Sequence, residues 1–263
     1  MITTTFIGAG NIAQALMGGY LQTKPGRIIA SDPVLVQLQK LPASIERSQD
    51  NQSAIQHADV VVLCVKPNMM ADICRNLADH SRGKLFISVA AGITVESLVT
   101  WLGQGSAIIR SMPNTPALVQ QGMTGLHANE NVSSEQRTVA EKILGSVGEY
   151  HWFEDEASLD VVTAISGSGP AYYFLIMESM QKAGVALGLP PEVSRKLVVQ
   201  TTLGAAQMAL ESDLSTEQLR INVTSPGGTT QAALEKMLQA GLPSTISDAV
   251  NAAWDKSREL SQT

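Results

Sequence analysis

The sequence predicts a two-part α/β chain: a doubly wound, mostly parallel sheet with its helices over residues 1–155, and an all-helical half over residues 156–263. Three observations carry that prediction. Short β-branched runs alternate with helical stretches up to about residue 150, as strand–helix–strand units require. One run, Val60-Val61-Val62-Leu63-Cys64-Val65, is apolar at every position, as expected of a parallel strand covered by helices on both faces. After Glu154 such runs cease, and Ala, Leu, Met and Gln recur at helical spacing.

Residues 4–8 read as the first strand and 11–21 as the helix that follows. Residues 27–31, 59–65, 85–90 and 107–112 continue the strand series, with helices expected over 68–78 and 95–102. In the second half, Pro190-Pro191 after Gly188 separates helices over 169–187 and 191–211. Proline suits a first helical turn, where no backbone donor is needed. Helices over 229–240 and 243–260 complete the set. This half holds more Ala, Met and Leu than one thin layer can bury, so a homodimer or larger homo-oligomer with an obligate interface is expected.

Composition excludes several classes. At 263 residues the chain can bury a core without disulfide or metal staples. A formal net charge of −6, with no Lys/Arg cluster, argues against nucleic acid. The apolar stretch over 171–189 contains Glu178, Gln181 and Lys182 and does not read as a membrane span. The N-terminus has no basic region before an apolar core, hence no secretory signal. Cys64 and Cys74 lack redox or zinc spacing and fit buried thiols in a reducing cytoplasm. His57, His80, His127 and His151 are scattered without ligand or triad spacing, and no metal site is expected.

Gly8-Ala9-Gly10-Asn11-Ile12 ends the first strand and opens a helix. Gly8 permits the tight turn, and Gly10 lets a pyrophosphate approach the backbone. The helix N-terminus then supplies N–H groups and a partial positive charge. Asp32, at the end of the second strand, is placed to accept bonds from ribose hydroxyls, or simply to form a turn before Pro33. Its charge would repel a 2′-phosphate and no arginine follows, though Ser31 could donate to one. NADH use is therefore expected, with any NADPH preference small. Val65, Lys66 and Pro67 close a further strand at the ligand edge of the sheet, where Lys66 is either a cofactor contact or an ordinary surface lysine. Asn51 and Ala91 lie in loops able to border the same crevice. Asn114, bracketed by Pro113 and Pro116, suits either a rigid ligand loop or an Asx turn.

Ser166-Gly167-Ser168-Gly169-Pro170 and Ser225-Pro226-Gly227-Gly228-Thr229-Thr230 are read as small-residue loops that each open a helix, with convergent backbone donors for an anion. Gly8-Ala9-Gly10-Asn11, Val65-Lys66-Pro67, Met112-Pro113-Asn114-Thr115-Pro116 and these two segments occur in the order and spacing of the pyrroline-5-carboxylate reductases, which the chain resembles over nearly its whole length. The resemblance implies a Rossmann-type domain followed by a helical dimerisation domain that interlocks with a second subunit. It also implies reduction of a cyclic imine to proline in the cytoplasm by NADPH or NADH. Cofactor contacts are implied at Gly8, Ser31, Asn51, Lys66 and Ala91, and substrate contacts at Thr229 and Thr230. The chain departs from many relatives at Arg220-Ile221, where they have Lys-Asp, and an acidic family position appears as Asp213.

The reaction asks mainly for orientation and charge stabilisation. Thr230 is expected to bond the ring nitrogen, and the N–H groups of Gly228 and Thr229 to hold the substrate carboxylate; Gly227 and Ser168 line the same small molecule. The alternative for Thr230 is a first-turn threonine that satisfies its own helix. Two other readings stand beside this one: a 3-hydroxyacid-type dehydrogenase, which would need a catalytic lysine such as Lys182 or Lys196, and a non-catalytic dinucleotide-binding assembly module.

Overall fold

The computed structural model describes residues 1–261, and its first strand forms where Thr3-Thr4-Thr5-Phe6-Ile7 offers five residues of high β preference. β1 (Thr3–Ile7) leads through Gly8 into α1 (Asn11–Gln22), followed by β2 (Arg27–Ser31), α2 (Leu35–Gln39), β3 (Glu46–Ser48) and α3 (Asn51–Ile55). The alternation continues through β4 (Val60–Leu63), α4 (Pro67–Leu77), β5 (Leu85–Ser88), α5 (Val95–Leu102) and β6 (Ala107–Met112). β7 (Gly122–Ala128), α6 (Ser134–Leu144) and β8 (Gly148–Trp152) complete the sheet.

Among the described residues the strands form one eight-stranded sheet in the order β3-β2-β1-β4-β5-β6-β7-β8. β1 to β6 are parallel. β7 runs antiparallel to β6, and β8 lies parallel to β7. The chain winds one way from β1 to β3, then returns to set β4 on the other side of β1. Loops leaving the carboxyl ends of β1 and β4 therefore meet at the switch point, where such sheets take ligands.

The apolar run at β4 is divided between two cores. Val60 and Val62 pack with Phe6, Leu16, Met17 and Tyr20 on one face. Val61 and Leu63 pack with Met70, Leu77, Phe86 and Leu98 on the other. Burying each such side chain is worth about 1.5–3 kcal/mol, which is what pins the register of a strand with no solvated face.

β3, β7 and β8 were not expected. β3 has three residues, all polar, at a sheet edge. β7 carries Gly122 and Gly125, which lower strand preference but allow close approach: a Cβ at Gly125 would come within 2.8 Å of Val162. Gly148, at φ +145°, faces Gly122 so closely that an added Cβ would overlap its backbone at 2.0 Å.

The described residues divide into two compact units: Met1–Pro170 with the chain from Ala252 onward, and Ala171–Asn251. α7 (Ser158–Val162) and a π-helical turn (Thr163–Gly167) belong to the first unit. The second holds most of α8 (Gly169–Ala186), α9 (Pro191–Glu211), α10 (Thr216–Asn222), α11 (Thr229–Gln239) and the start of α12 (Leu242–Ser261). α10 is an unforeseen short helix, capped by Ser215, whose Oγ accepts from Gln218 N at 3.1 Å. Among the residues of this second unit only Ser194 and Val198 are buried, while Phe174, Leu175 and Leu210 are 63, 63 and 73 % exposed. Helices with so little core of their own are an oligomerisation surface. None of the described helices is long and apolar enough to cross a membrane.

Candidate active site

Gly8 sits at φ +95°, and a Cβ there would lie 2.6 Å from the Cys64 carbonyl oxygen at the end of β4. The turn thus needs glycine for both conformation and space. Its N–H donates to Ser31 O at 2.7 Å, and the Ala9 N–H donates to Asp32 Oδ2 at 2.8 Å. Gly10, the residue before α1, differs: φ is −71° and an added Cβ would meet nothing within 4 Å. No side chain caps α1 and no acid lies in its first turn, so the N–H groups of Asn11 and Ile12 open a helix end, with the Asp32 carboxylate held to one side on the Ala9 N–H. The turn fits a dinucleotide pyrophosphate in both respects.

Around it the parallel strands bring the other candidates to one sheet edge. Asp32 is half-buried, its second oxygen accepting from Val34 N at 2.8 Å, so the carboxylate braces the glycine turn. Ser31 corrects an expectation. It is completely buried and its Oγ donates to Asn51 Oδ1 at 2.7 Å, so the hydroxyl orients Asn51 instead of facing a phosphate. Val65 is half-buried; Lys66 and Pro67 are exposed, Lys66 as the extended residue before α4 and Pro67 at its first position. Ala91 follows β5, half-buried beside Gly92 at φ +74°. Asn114 is committed at both ends of its amide: Nδ2 donates to Ser166 O at 3.0 Å and Oδ1 accepts from Met123 N at 2.9 Å. It ties the loop after β6 to β7 and to the π-helical turn.

That turn overturns the loop expected around Ser168. Residues 163–167 are helical, and Ser168 N donates to Thr163 O at 2.8 Å. The Ser168 amide is thus spent on the π-helical turn and not offered to an anion, while α8 opens at Gly169 as expected. Four small residues in succession read locally as a loop; Met112 packs so close to Gly167 that an added Cβ would lie 2.6 Å from its Cε, a tertiary constraint the pattern omits.

In the second unit Gly227 (φ +71°) and Gly228 precede α11, with Thr229 and Thr230 exposed at its first two positions. A second correction arises here. Gly228 N donates to Ser225 O at 3.0 Å and Gly227 N to Gln231 Oε1 at 2.7 Å, so neither amide is offered to a carboxylate. The α11 N-terminus has no side-chain cap on Gly228, and its first internal bond, Ala232 N to Gly228 O, leaves the Thr229 and Thr230 amides ahead of the ladder. Thr230 also lines an apolar cavity of about 360 Å³ with Met208, Leu219, Arg220, Val223 and Leu234.

A buried ionic cluster was missed entirely. Arg110, 3 % exposed in β6, reaches Glu156 Oε1 at 2.9 Å and Asp160 Oδ1 at 3.5 Å. Glu156 Oε1 also accepts from Val95 N at 2.8 Å, and Asp160 Oδ1 from Ser257 Oγ at 2.8 Å. The cluster joins β6, α5, α7 and the last turns of α12. A lone charge inside the apolar run at 107–112 was the available signal; its partners, Glu156 and Asp160, lie 46 and 50 residues further along the sequence.

An open, mostly parallel sheet with a glycine turn at its switch point and an uncapped helix behind it defines the Rossmann-type dinucleotide-binding proteins. Comparison narrows the class. Residues 3–92 match the family described as NADP oxidoreductase coenzyme F420-dependent, and residues 156–260 match that described as pyrroline-5-carboxylate reductase dimerisation. The chain is 47% identical over 262 residues to a pyrroline-5-carboxylate reductase of Pseudomonas aeruginosa, covering 98% of this chain and 96% of that one. A solved pyrroline-5-carboxylate reductase from Coxiella burnetii superposes with a TM-score of 0.93 at 42% identity, covering 99% and 98% of the two chains. A Plasmodium falciparum pyrroline carboxylate reductase with NADP bound gives 0.89 at 33% identity, covering 99% and 98%. The chain belongs to the pyrroline-5-carboxylate reductase family.

Proposed function

We propose that this chain reduces 1-pyrroline-5-carboxylate to L-proline, the last step of proline biosynthesis, using NADH or NADPH. The observation that carries this reading is family membership spanning both units, with relatives covered almost end to end. The Rossmann-type half, read from the sequence as residues 1–155, serves the dinucleotide, and the helical half that follows serves the substrate and the second subunit, although α7, the π-helical turn and the end of α12 belong to the first unit. The protein works in the cytoplasm, in keeping with its free thiols Cys64 and Cys74.

When bound, the reduced nicotinamide supplies the hydride for the C=N bond. The protein's share is binding and orientation. Gly8, Ala9, Gly10, Asn11 and Ile12 present the α1 N-terminus to the pyrophosphate. Asp32 faces the adenosine ribose, and the Asn51 amide, oriented by Ser31, takes the role first assigned to the Ser31 hydroxyl. Val65, Lys66, Pro67, Ala91 and Asn114 border the same edge. The backbone donors of Thr229 and Thr230 hold the substrate carboxylate, and the Thr230 hydroxyl bonds and orients the ring nitrogen, which takes its proton from water. Ser168 contributes to the substrate surface through its side chain.

The test is a spectrophotometric assay of NADH and NADPH oxidation with 1-pyrroline-5-carboxylate, set against 3-hydroxy acids with the oxidised cofactors. Imine-dependent oxidation of both cofactors is expected. Turnover of 3-hydroxy acids alone would replace this reading with that of a dehydrogenase, and a strong preference for NADPH would remove the role given to Asp32.

A further inference from the structure

The loop ahead of α11 is held by a side chain that the reaction itself does not require. Gln231, at the third position of α11, turns back so that its Oε1 accepts from Gly227 N at 2.7 Å. Its Nε2 donates to Glu235 Oε1 at 2.8 Å, one helical turn on. The two bonds fix the amide's orientation, oxygen toward the loop and nitrogen toward the acid. The bond is analogous to the backward half of a capping box but falls one residue earlier, on the residue before the Gly228 N-cap, whose own N–H goes to Ser225 O. The forward half is missing, because Gly228 has no side chain to cover the first-turn amides.

The combination is selective. Ser, Thr or Asp in place of Gly228 would put its own oxygen on those amides. A glutamate at 231 could make the same backward bond and would gain from the helix dipole. It would also set a second negative charge beside Glu235 and beside any anion at the helix end. Lys236 is on α11 as well. From α10, Arg220 shares the Thr230 cavity and is paired with Glu217 at 3.8 Å, so its charge is partly answered already. A neutral side chain at 231 keeps the loop tied without spending the positive end of α11.

We propose that Gln231 is a positioning and specificity-determining residue, an uncharged tie on the Gly227 turn that leaves the α11 N-terminus open to the substrate's carboxylate. The role rests on the substrate reading above. Its test is steady-state kinetics on the full-length chain and on Gln231→Glu and Gln231→Ala, each first checked for an unchanged melting temperature. In Gln231→Glu, KM for 1-pyrroline-5-carboxylate rises about tenfold at pH 8, and the rise shrinks to about two- to fourfold near pH 4.5 as the new carboxyl begins to take up a proton. kcat and the cofactor KM change less than about twofold. KM for 1-pyrroline, the same ring without the carboxylate, stays at the wild-type value. Gln231→Ala raises KM for the carboxylate substrate equally at every pH, since it loosens the turn without adding charge. A Gln231→Glu effect that is absent, independent of pH, or equal for 1-pyrroline overturns the role while leaving the substrate reading in place. A wild-type chain inert toward 1-pyrroline-5-carboxylate ends the substrate reading, and this role with it.

Discussion

Gly8 and Gly10 stand two positions apart in one turn and are glycine for different reasons. Gly8 answers to the protein: its backbone is left-handed and its missing Cβ makes room for the Cys64 carbonyl. Gly10 has an ordinary φ and open space beside it, so only something outside the chain benefits from the absent side chain. Gly8→Ala should therefore cost about 1–3 kcal/mol of stability by urea unfolding. Gly10→Ala should change stability by less than about 0.5 kcal/mol yet weaken dinucleotide binding, by fluorescence titration, about tenfold or more. Thr230→Ala should lower turnover roughly tenfold to a hundredfold with little change in cofactor KM, since one well-made hydrogen bond is worth about 1–3 kcal/mol. Unaltered turnover would remove Thr230 from the site. The glycine turn was legible because its residues are neighbours in sequence. The partners of Ser31 and Asn114 were not, since each bond joins residues from separate elements.

At the scale of elements, the Arg110 cluster does what backbone ladders do not, linking one strand to three helices by charge. Arg110→Met should destabilise the first unit by about 3–5 kcal/mol, because Glu156 and Asp160 would keep charges with no counter-ion. Thermal melts read the loss, and hydrogen exchange should show the last turns of α12 opening first. An unchanged melting temperature would mean water already screens the cluster. The packing of α4 on the sheet has its own signature in pH. Cys74 is fully buried on α4, and removal from water pushes its thiol from 9.0 up to about 12. Between those values the unfolded chain releases this proton and the folded chain keeps it, so stability falls as pH rises through the window and is unaffected below it. Unfolding free energies from urea titrations at pH 8 and pH 10 should differ by about 1.4 kcal/mol more in the wild-type chain than in Cys74→Ala.

For the whole molecule the decisive fact is the near absence of buried residues in the second unit. Ordering these helices costs conformational entropy that their own contacts do not offset. Light scattering at micromolar concentration should give a mass at least twice 27.9 kDa. A species at the single-chain mass with native helix content would contradict the interface. The net charge of −6 does not oppose binding of two anionic ligands, since helix ends act at contact range while the global field is screened beyond about 8–10 Å.

The amino-acid sequence alone determined the alternation of strands and helices, the placement of the glycine turn, the change of character after residue 154 and most helix starts. These depend on backbone preference and hydrophobic spacing within a few residues. Tertiary structure decided the rest: the glycine-lined strands β7 and β8, the π-helical turn just before Ser168, the spending of the Gly227 and Gly228 amides, and the counter-ions of Arg110. Each of those turns on which groups compete for a donor or a gap once the chain has folded back on itself, and that competition leaves little trace in a local run of residues.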